Sequence, residues 1–273
     1  VSDALDMGGV TGEDGAGFDV ASALGAGTDL LLCGPDPDAR ARIEAGLSHA
    51  AASGRIDPRD ATGASARIGD LRRWIAGFDA PSLEVVGSAE HRRLADELAT
   101  RSITLIRDRA GLLPIQDGDL ILVIEPRPRD LTPADTTSWL PTGGLAAALG
   151  GLLPGIEGHL VGIRVSDVEI ARLRERAARA DAIVLATADA LGEPSIGELA
   201  RALVSTGKPL IAVALRAPWD ADAYPEVGTV LATYGIQPPT LAAVAAAITG
   251  HYPITGRLPV TLGQPRAAPR STN

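Results

Sequence analysis

Two aspartates three residues apart, Asp3 and Asp6, stand in the opening stretch "VSDALDM". A carboxylate is ionised near neutrality, so either could serve as a nucleophile or oppose positive charge that develops in a transition state. Hydrolysis by two carboxylates with retention calls for groups about 5 Å apart on either side of the scissile bond. Two residues three apart on one turn approach a substrate from the same side. Asp3 and Asp6 therefore do not form such a pair by themselves, and a partner must come from elsewhere. Helix capping by Asp3 or Asp6 is the competing reading of the same residues. A strand that ends in Ser-Asp, however, places its carboxylate at its C-terminal lip, which in a barrel is the rim where catalytic groups sit.

The remaining candidates carry less. His49, His91, His159 and His251 are scattered, with neither metal-ligand spacing nor an HExxH pattern, and read as surface or hydrogen-bonded histidines. Gly207-Lys208 in "STGKP" lacks the upstream Gly and the following Ser or Thr of a phosphate loop, and no GxGxxG follows a strand. Nucleotide binding would rest on fold analogy alone. The Pro-rich stretch "EPRPRDLTPADTTSWLPTGG" (125–144) reads as a long surface or interdomain loop, and Trp139 within it as a packing residue rather than a ligand platform. No residue set calls for a cofactor or a metal.

Bulk properties bound the partners. The chain has 273 residues, a formal net charge of -9 and a pI near 5.0. It has no basic block to track a phosphate backbone, which argues against nucleic acid as a partner. The apolar runs "LAAALGGLLPGI" and "LAAVAAAITG" fall short of the roughly 18 residues of a membrane span. Cys33 is the only cysteine, so no internal disulfide forms.

Hydrophobic periodicity predicts strands alternating with helices. A short helix over 16–25 precedes the buried-strand run "TDLLLCG" (28–34), a helix over 38–56 and another over 61–78. A Pro and a change of period at 79–87 mark a linker. Ser88 caps a helix over 88–102. Strands follow at 103–108, 119–126, 159–166, 181–189, 209–216, 227–235 and 256–262, with helices near 143–153 and over 167–180, 195–207 and 238–250. Strands that are apolar throughout, separated by amphipathic helices, predict a parallel sheet covered on both faces. Residues 1–79 hold only a strand stub, helices and one full strand. A lone βα pair leaves its sheet edges open, so this region reads as the last quarter of a (β/α)8 barrel. The expected fold class is thus α/β: the C-terminal remnant of a (β/α)8 barrel (1–79), then a doubly wound α/β sandwich domain (80–273).

"VSDALDM" resembles the nucleophile motif of glycoside hydrolase family 3, in its β-N-acetylhexosaminidase branch. The resemblance continues through "ALGAGTDLLLCGPD", "ATRSITLIRDRAGLLPI", "ALRAPWDADAYPEVGTVLATYG" and "TGRLPVTL", and so spans essentially the whole chain. It implies that Asp3 is the catalytic nucleophile, at the end of barrel strand 7, and that the substrate is a β-N-acetylglucosaminide or related oligosaccharide from peptidoglycan or chitin. Asp6 and Met7 belong to the motif without a catalytic role. In that branch the acid/base is a histidine on an upstream barrel loop, and none of the four histidines here lies in the matching motif. The resemblance therefore implies a missing N-terminal barrel portion as the necessary partner, and a chain that by itself hydrolyses nothing. It also leads us to expect exposed apolar surface around Leu30, Leu31 and Leu32, and with it a tendency to associate. The rival readings are a family 3 β-glucosidase, transfer to phosphate instead of water, and a non-catalytic α/β module that binds sugar or a partner.

Overall fold

The computed structural model describes residues 1–5, 20–115, 120–127 and 144–263. By its internal contacts the chain divides into two units, Val1–Leu83 and Glu84–Asn273.

The first unit is mostly helical. It holds helices α1 (Val20–Gly25), α2 (Pro37–Ala52) and α3 (Pro58–Ala76) and two short extended segments. Asp36-Pro37 and Asp57-Pro58 start α2 and α3 in the same way. Each aspartate accepts a backbone N–H two residues on, from Asp38 and Arg59, and each proline enters a position where no N–H is needed. The small core is Ala21, Ala50 and Ile56, with Leu24 and Leu47 packed beside it. The run at 28–34 does not form the full strand expected. It makes one parallel bridge, Leu32 with Ala4, because residues 1–5 are its only extended neighbour among the described residues. Leu30 and Leu32 are accordingly 36% and 43% exposed, and Leu31 is half-buried.

The second unit begins with α4 (Ala89–Ser102), whose cap is the predicted Ser88: its hydroxyl accepts the His91 N–H. Six strands follow: β1 (Thr104–Asp108), β2 (Ile121–Pro126), β3 (Ile156–Val161), β4 (Ala182–Thr187), β5 (Leu210–Ala214) and β6 (Thr229–Ala232). They are joined by α5 (Gly144–Gly150), α6 (Asp167–Ala177) and α7 (Pro194–Val204), and α8 (Pro238–Ile248) comes last. The sheet order is β1-β6-β5-β4-β2-β3. β2, β4, β5 and β6 are buried along their whole length.

Because side chains alternate across a strand, each central strand feeds two cores. Ile121 and Val123 of β2, with Val184, Val213 and Leu231, face α4, α5 and α8. Leu122 and Ile124, with Ile183, Leu185, Ala212 and Val230, face α6 and α7. This is the doubly wound α/β arrangement read from the periodicity. Each fully buried Leu or Ile stabilises it by about 1.5–3 kcal/mol.

Three expectations need correction. β1 pairs antiparallel with β6, so the sheet is not wholly parallel. It is an edge strand only partly buried, which is why it tolerates Arg107 and Asp108 where the inner strands are apolar. The third strand occupies Ile156–Val161 rather than 159–166, beginning after Gly155 at φ 70° and ending before Gly162. The terminal run 256–262 adds no strand. Among the described residues its only backbone bond to the sheet region is Gly256 N–H to the Ile103 carbonyl, 3.0 Å, and Pro259 has no N–H to offer a ladder. The segment passes instead from one core, where Ile254 packs, to the other, where Leu262 packs.

Gly197 lies on α7 where a Cβ would stand 2.8 Å from the Ala223 carbonyl oxygen. Gly69 on α3 has only the Arg73 side-chain tip nearby, at 3.6 Å. Gly197→Ala is expected to lower stability by about 1–3 kcal/mol despite its better helix propensity. Gly69→Ala is expected to gain up to about 1 kcal/mol. Thermal melting of the two variants against the parent tests the opposite signs.

Candidate active site around Asp3

Asp3 lies on the first of the two extended segments. These run parallel and are held by the Ser2 N–H to the Leu30 carbonyl (2.8 Å) and the Leu5 N–H to the Leu32 carbonyl (3.0 Å). Leu5, 4% exposed, anchors the segment, whereas Asp3 is exposed. The Ala4 N–H donates to Asp3 Oδ1 at 2.8 Å. Among the described residues Asp3 has no ion pair. The second segment is tied to α3 by Asp29, whose two carboxylate oxygens accept Arg67 Nη2 (2.6 Å) and Nε (2.9 Å). That hydrogen-bonded guanidinium holds the Asp29 carboxyl below the usual carboxylate range. Asp6 and Met7 lie outside the described residues.

The sequence did not single out two buried carboxylates of the second unit. The sheet order reverses between β2 and β4, and in open α/β sheets ligands bind at the strand ends beside such a switch point. Here Glu125, 1% exposed near the end of β2, fills the start of α5. Its oxygens accept the Leu145 N–H (3.0 Å) and the Ala146 N–H (3.2 Å), and burial raises its pKa. The protein's own carboxylate thus takes the place an anion would occupy at that helix start. A charge within "ILVIEP" was the available signal.

Asp220, 2% exposed in the 3-10 turn Pro218–Ala223, accepts Thr187 Oγ1–H at 2.7 Å and the Ala190 N–H at 2.9 Å. The Tyr224 hydroxyl in turn reaches Thr187 Oγ1 at 3.1 Å. This network ties the end of β4 to the turn after β5. The Ala190 N–H it holds follows Asp189, which sits at φ 73° although it is not glycine. Among the described residues Tyr234, beyond β6, is the other one, at φ 56°. Thr187 and Asp220 are 33 positions apart, so no local spacing could reveal the pair.

The other candidates separate. His49, His91 and His251 are exposed, and His159 lies between Arg176 Nη1 (2.7 Å from Nδ1) and Glu169 Oε1 (3.4 Å from Nε2). Among the described residues no group of three or more His, Cys, Asp or Glu could hold a metal. Gly207, at φ 71°, lies in the turn after α7, and Lys208 precedes β5, at the opposite end of the strands from the switch point. Cys33 is free and exposed. Trp139 lies outside the described residues. No helix among them is long and apolar enough to cross a membrane.

No protein-family model matches the chain, and no curated protein matches it by sequence. Solved structures do. Over 94% of its length the chain is similar, with a TM-score of 0.78 and 27% identity, to a glycoside hydrolase family 3 β-N-acetylglucosaminidase from Paenibacillus sp. str. FPU-7. It covers 50% of that enzyme. A fungal multi-domain family 3 β-N-acetylglucosaminidase matches over 95% of the chain with a TM-score of 0.77 and 24% identity, and the chain covers 30% of it. A β-glucosidase from Listeria innocua shares the fold at a TM-score of 0.61 and 15% identity, over 85% of this chain and 35% of its own. The chain thus spans half or less of these relatives, and its resemblance to family 3 glycoside hydrolases extends over nearly all of its own length.

Asp220 also yields a pH signature. Burial raises its carboxyl above the usual range despite its donors, so the folded chain keeps the proton longer than the unfolded one. The stability this group contributes is complete below about pH 4 and is lost as pH rises through the folded value. Asp220→Asn should therefore gain in melting temperature on the parent as pH rises above about 4 and through the folded value. A difference that stays flat or shrinks over that range would contradict the assignment.

Proposed function

We propose that the chain is part of a retaining glycoside hydrolase that removes terminal β-linked N-acetylhexosamine, with Asp3 as its nucleophile. The observation that carries this reading is the exposed Asp3 carboxylate beside a parallel pair of extended segments, in a chain 27% identical over 94% of its length to a β-N-acetylglucosaminidase. In this reading residues 1–79 are the last strands and helices of a catalytic barrel, and residues 80–273 are its α/β sandwich domain. Asp3 attacks the anomeric carbon as the bond to the leaving oxygen breaks, and the leaving oxygen takes a proton from the general acid. A glycosyl ester on Asp3 results, and water opens it with the same group acting as base, so configuration is retained. We assign the acid/base and the sugar pocket to a barrel portion outside residues 1–273, since none of the four histidines lies in a matching motif.

The test uses the protein expressed from its complete reading frame with an aryl β-N-acetylglucosaminide. Asp3→Ala should lower kcat roughly 10³-fold or more, and an activated fluoro-sugar should leave its mass on the peptide carrying Asp3. Full turnover by Asp3→Ala, or an adduct elsewhere, overturns the assignment. Parallel runs with an aryl β-glucoside, and with phosphate as acceptor, separate the rival substrate and acceptor. Residues 1–273 alone should be inert, and turnover by them that Asp3→Ala abolishes would refute the placement of the acid/base outside.

A further inference from the structure

The hydrogen bonds around Asp3 depart from a regular parallel ladder, in which the Leu30 carbonyl would accept the Asp3 N–H and not, as here, the Ser2 N–H at 2.8 Å. With Ala4 opposite Leu32, such a ladder has the Leu5 N–H donating to the Leu32 carbonyl and the Leu32 N–H donating to the Asp3 carbonyl. The first bond is present at 3.0 Å. In place of the second, the Leu32 N–H donates to Ser2 Oγ at 2.9 Å, and Ser2 Oγ–H donates to the Asp3 carbonyl oxygen at 2.7 Å. A hydroxyl has one donor and two acceptor sites, so Ser2 can bridge the gap without leaving its proton idle.

The bridge acts on the carboxylate through one rigid plane. The Asp3 carbonyl and the Ala4 N–H belong to the same peptide unit, which is flat. Its carbonyl is held by Ser2, and its N–H holds Asp3 Oδ1 at 2.8 Å. A single relay thus runs from the Leu32 N–H through the Ser2 hydroxyl and the Asp3–Ala4 peptide to Oδ1. Its bonds polarise in the same direction, toward the carboxylate. Oδ1 accepts the Ala4 N–H, and among the described residues Oδ2 has no hydrogen-bond donor.

We propose that Ser2 is a positioning residue for the nucleophile: its hydroxyl, inserted between the two segments, sets the plane of the Asp3–Ala4 peptide so that Oδ2 is the attacking oxygen. The proposal rests on the reading of Asp3 as nucleophile. Without the hydroxyl, the Leu32 N–H either closes directly on the Asp3 carbonyl, turning the peptide, or loses its partner. Both outcomes re-aim the carboxylate without removing it. An attacking atom displaced by about an ångström can cost on the order of 100-fold in rate.

Four variants of the protein expressed from its complete reading frame decide the matter: Ser2→Ala, Ser2→Thr, Ser2→Val and Asp3→Ala. Thr and Val have nearly the same shape and suit an extended backbone equally, so that pair isolates the hydroxyl. Ser2→Val and Ser2→Ala should lower kcat about 10- to 100-fold with KM within about twofold, the pattern of an interaction that matters in the transition state. Ser2→Thr should retain kcat within about threefold of the parent. Adduct formation with the activated fluoro-sugar should slow in Ser2→Val by the same factor as kcat, still on Asp3. Equal kcat for the Thr and Val variants overturns the proposal, as does a loss confined to KM, while the nucleophile assignment stands if Asp3→Ala is inactive. Turnover by Asp3→Ala overturns both. If Ser2→Ala fails to fold by thermal melting, the Thr and Val comparison carries the decision alone.

Discussion

The second unit depends on one requirement: every backbone N–H and C=O of a strand covered on both faces must find its partner within the sheet. β2, β4, β5 and β6 have no wet face, so their polar backbone groups are paired strand to strand and their side chains are apolar on both sides. Helices on both faces follow, since each strand projects one set of side chains toward α4, α5 and α8 and another toward α6 and α7. Charge is pushed to the strand ends and to the edge strand β1. There Arg107 still pairs, donating to the carbonyls of Val227 (2.8 Å), Ala221 (3.1 Å) and Tyr224 (2.9 Å).

The two deeply buried carboxylates are consequences of the same accounting. A helix or loop that starts beside a buried strand brings N–H groups that no ladder can satisfy. Glu125 answers the first turn of α5, and Asp220 answers the loop after β4 together with the Thr187 hydroxyl. Burial raises the pKa of both, since it takes the charge out of water, and their hydrogen-bond donors act in the opposite direction. Both lie at strand ends where a site is commonly sought, yet their bonds go to the protein itself. Their role in the described structure is architectural.

The first unit obeys the requirement more loosely. Its extended segments share one bridge and a few backbone bonds, and that sparseness is what admits a side chain into the pairing. In a full ladder the Asp3 carbonyl would be spoken for by the neighbouring strand. Here the Ser2 hydroxyl reaches it first. The residue carrying the candidate chemistry is therefore held by local polar contacts and by the Leu5 anchor, and not by a deep core.

Sequence alone determined the element types wherever one local rule dominated. Ser88 announced its helix through its capping hydroxyl, the doubled Pro238-Pro239 and Gly250 bracketed α8, and the apolar runs of β2, β4 and β5 read as strands buried on both faces. Asp3 was legible because a short motif carries it. The antiparallel direction of β1, the absence of a ladder at 256–262, the Thr187–Asp220–Tyr224 network and the bridging role of Ser2 were decided only in the tertiary structure. Each depends on groups far apart in the chain, such as Ser2 and Leu32 or Thr187 and Asp220, and periodicity and capping report only on neighbours within a few residues.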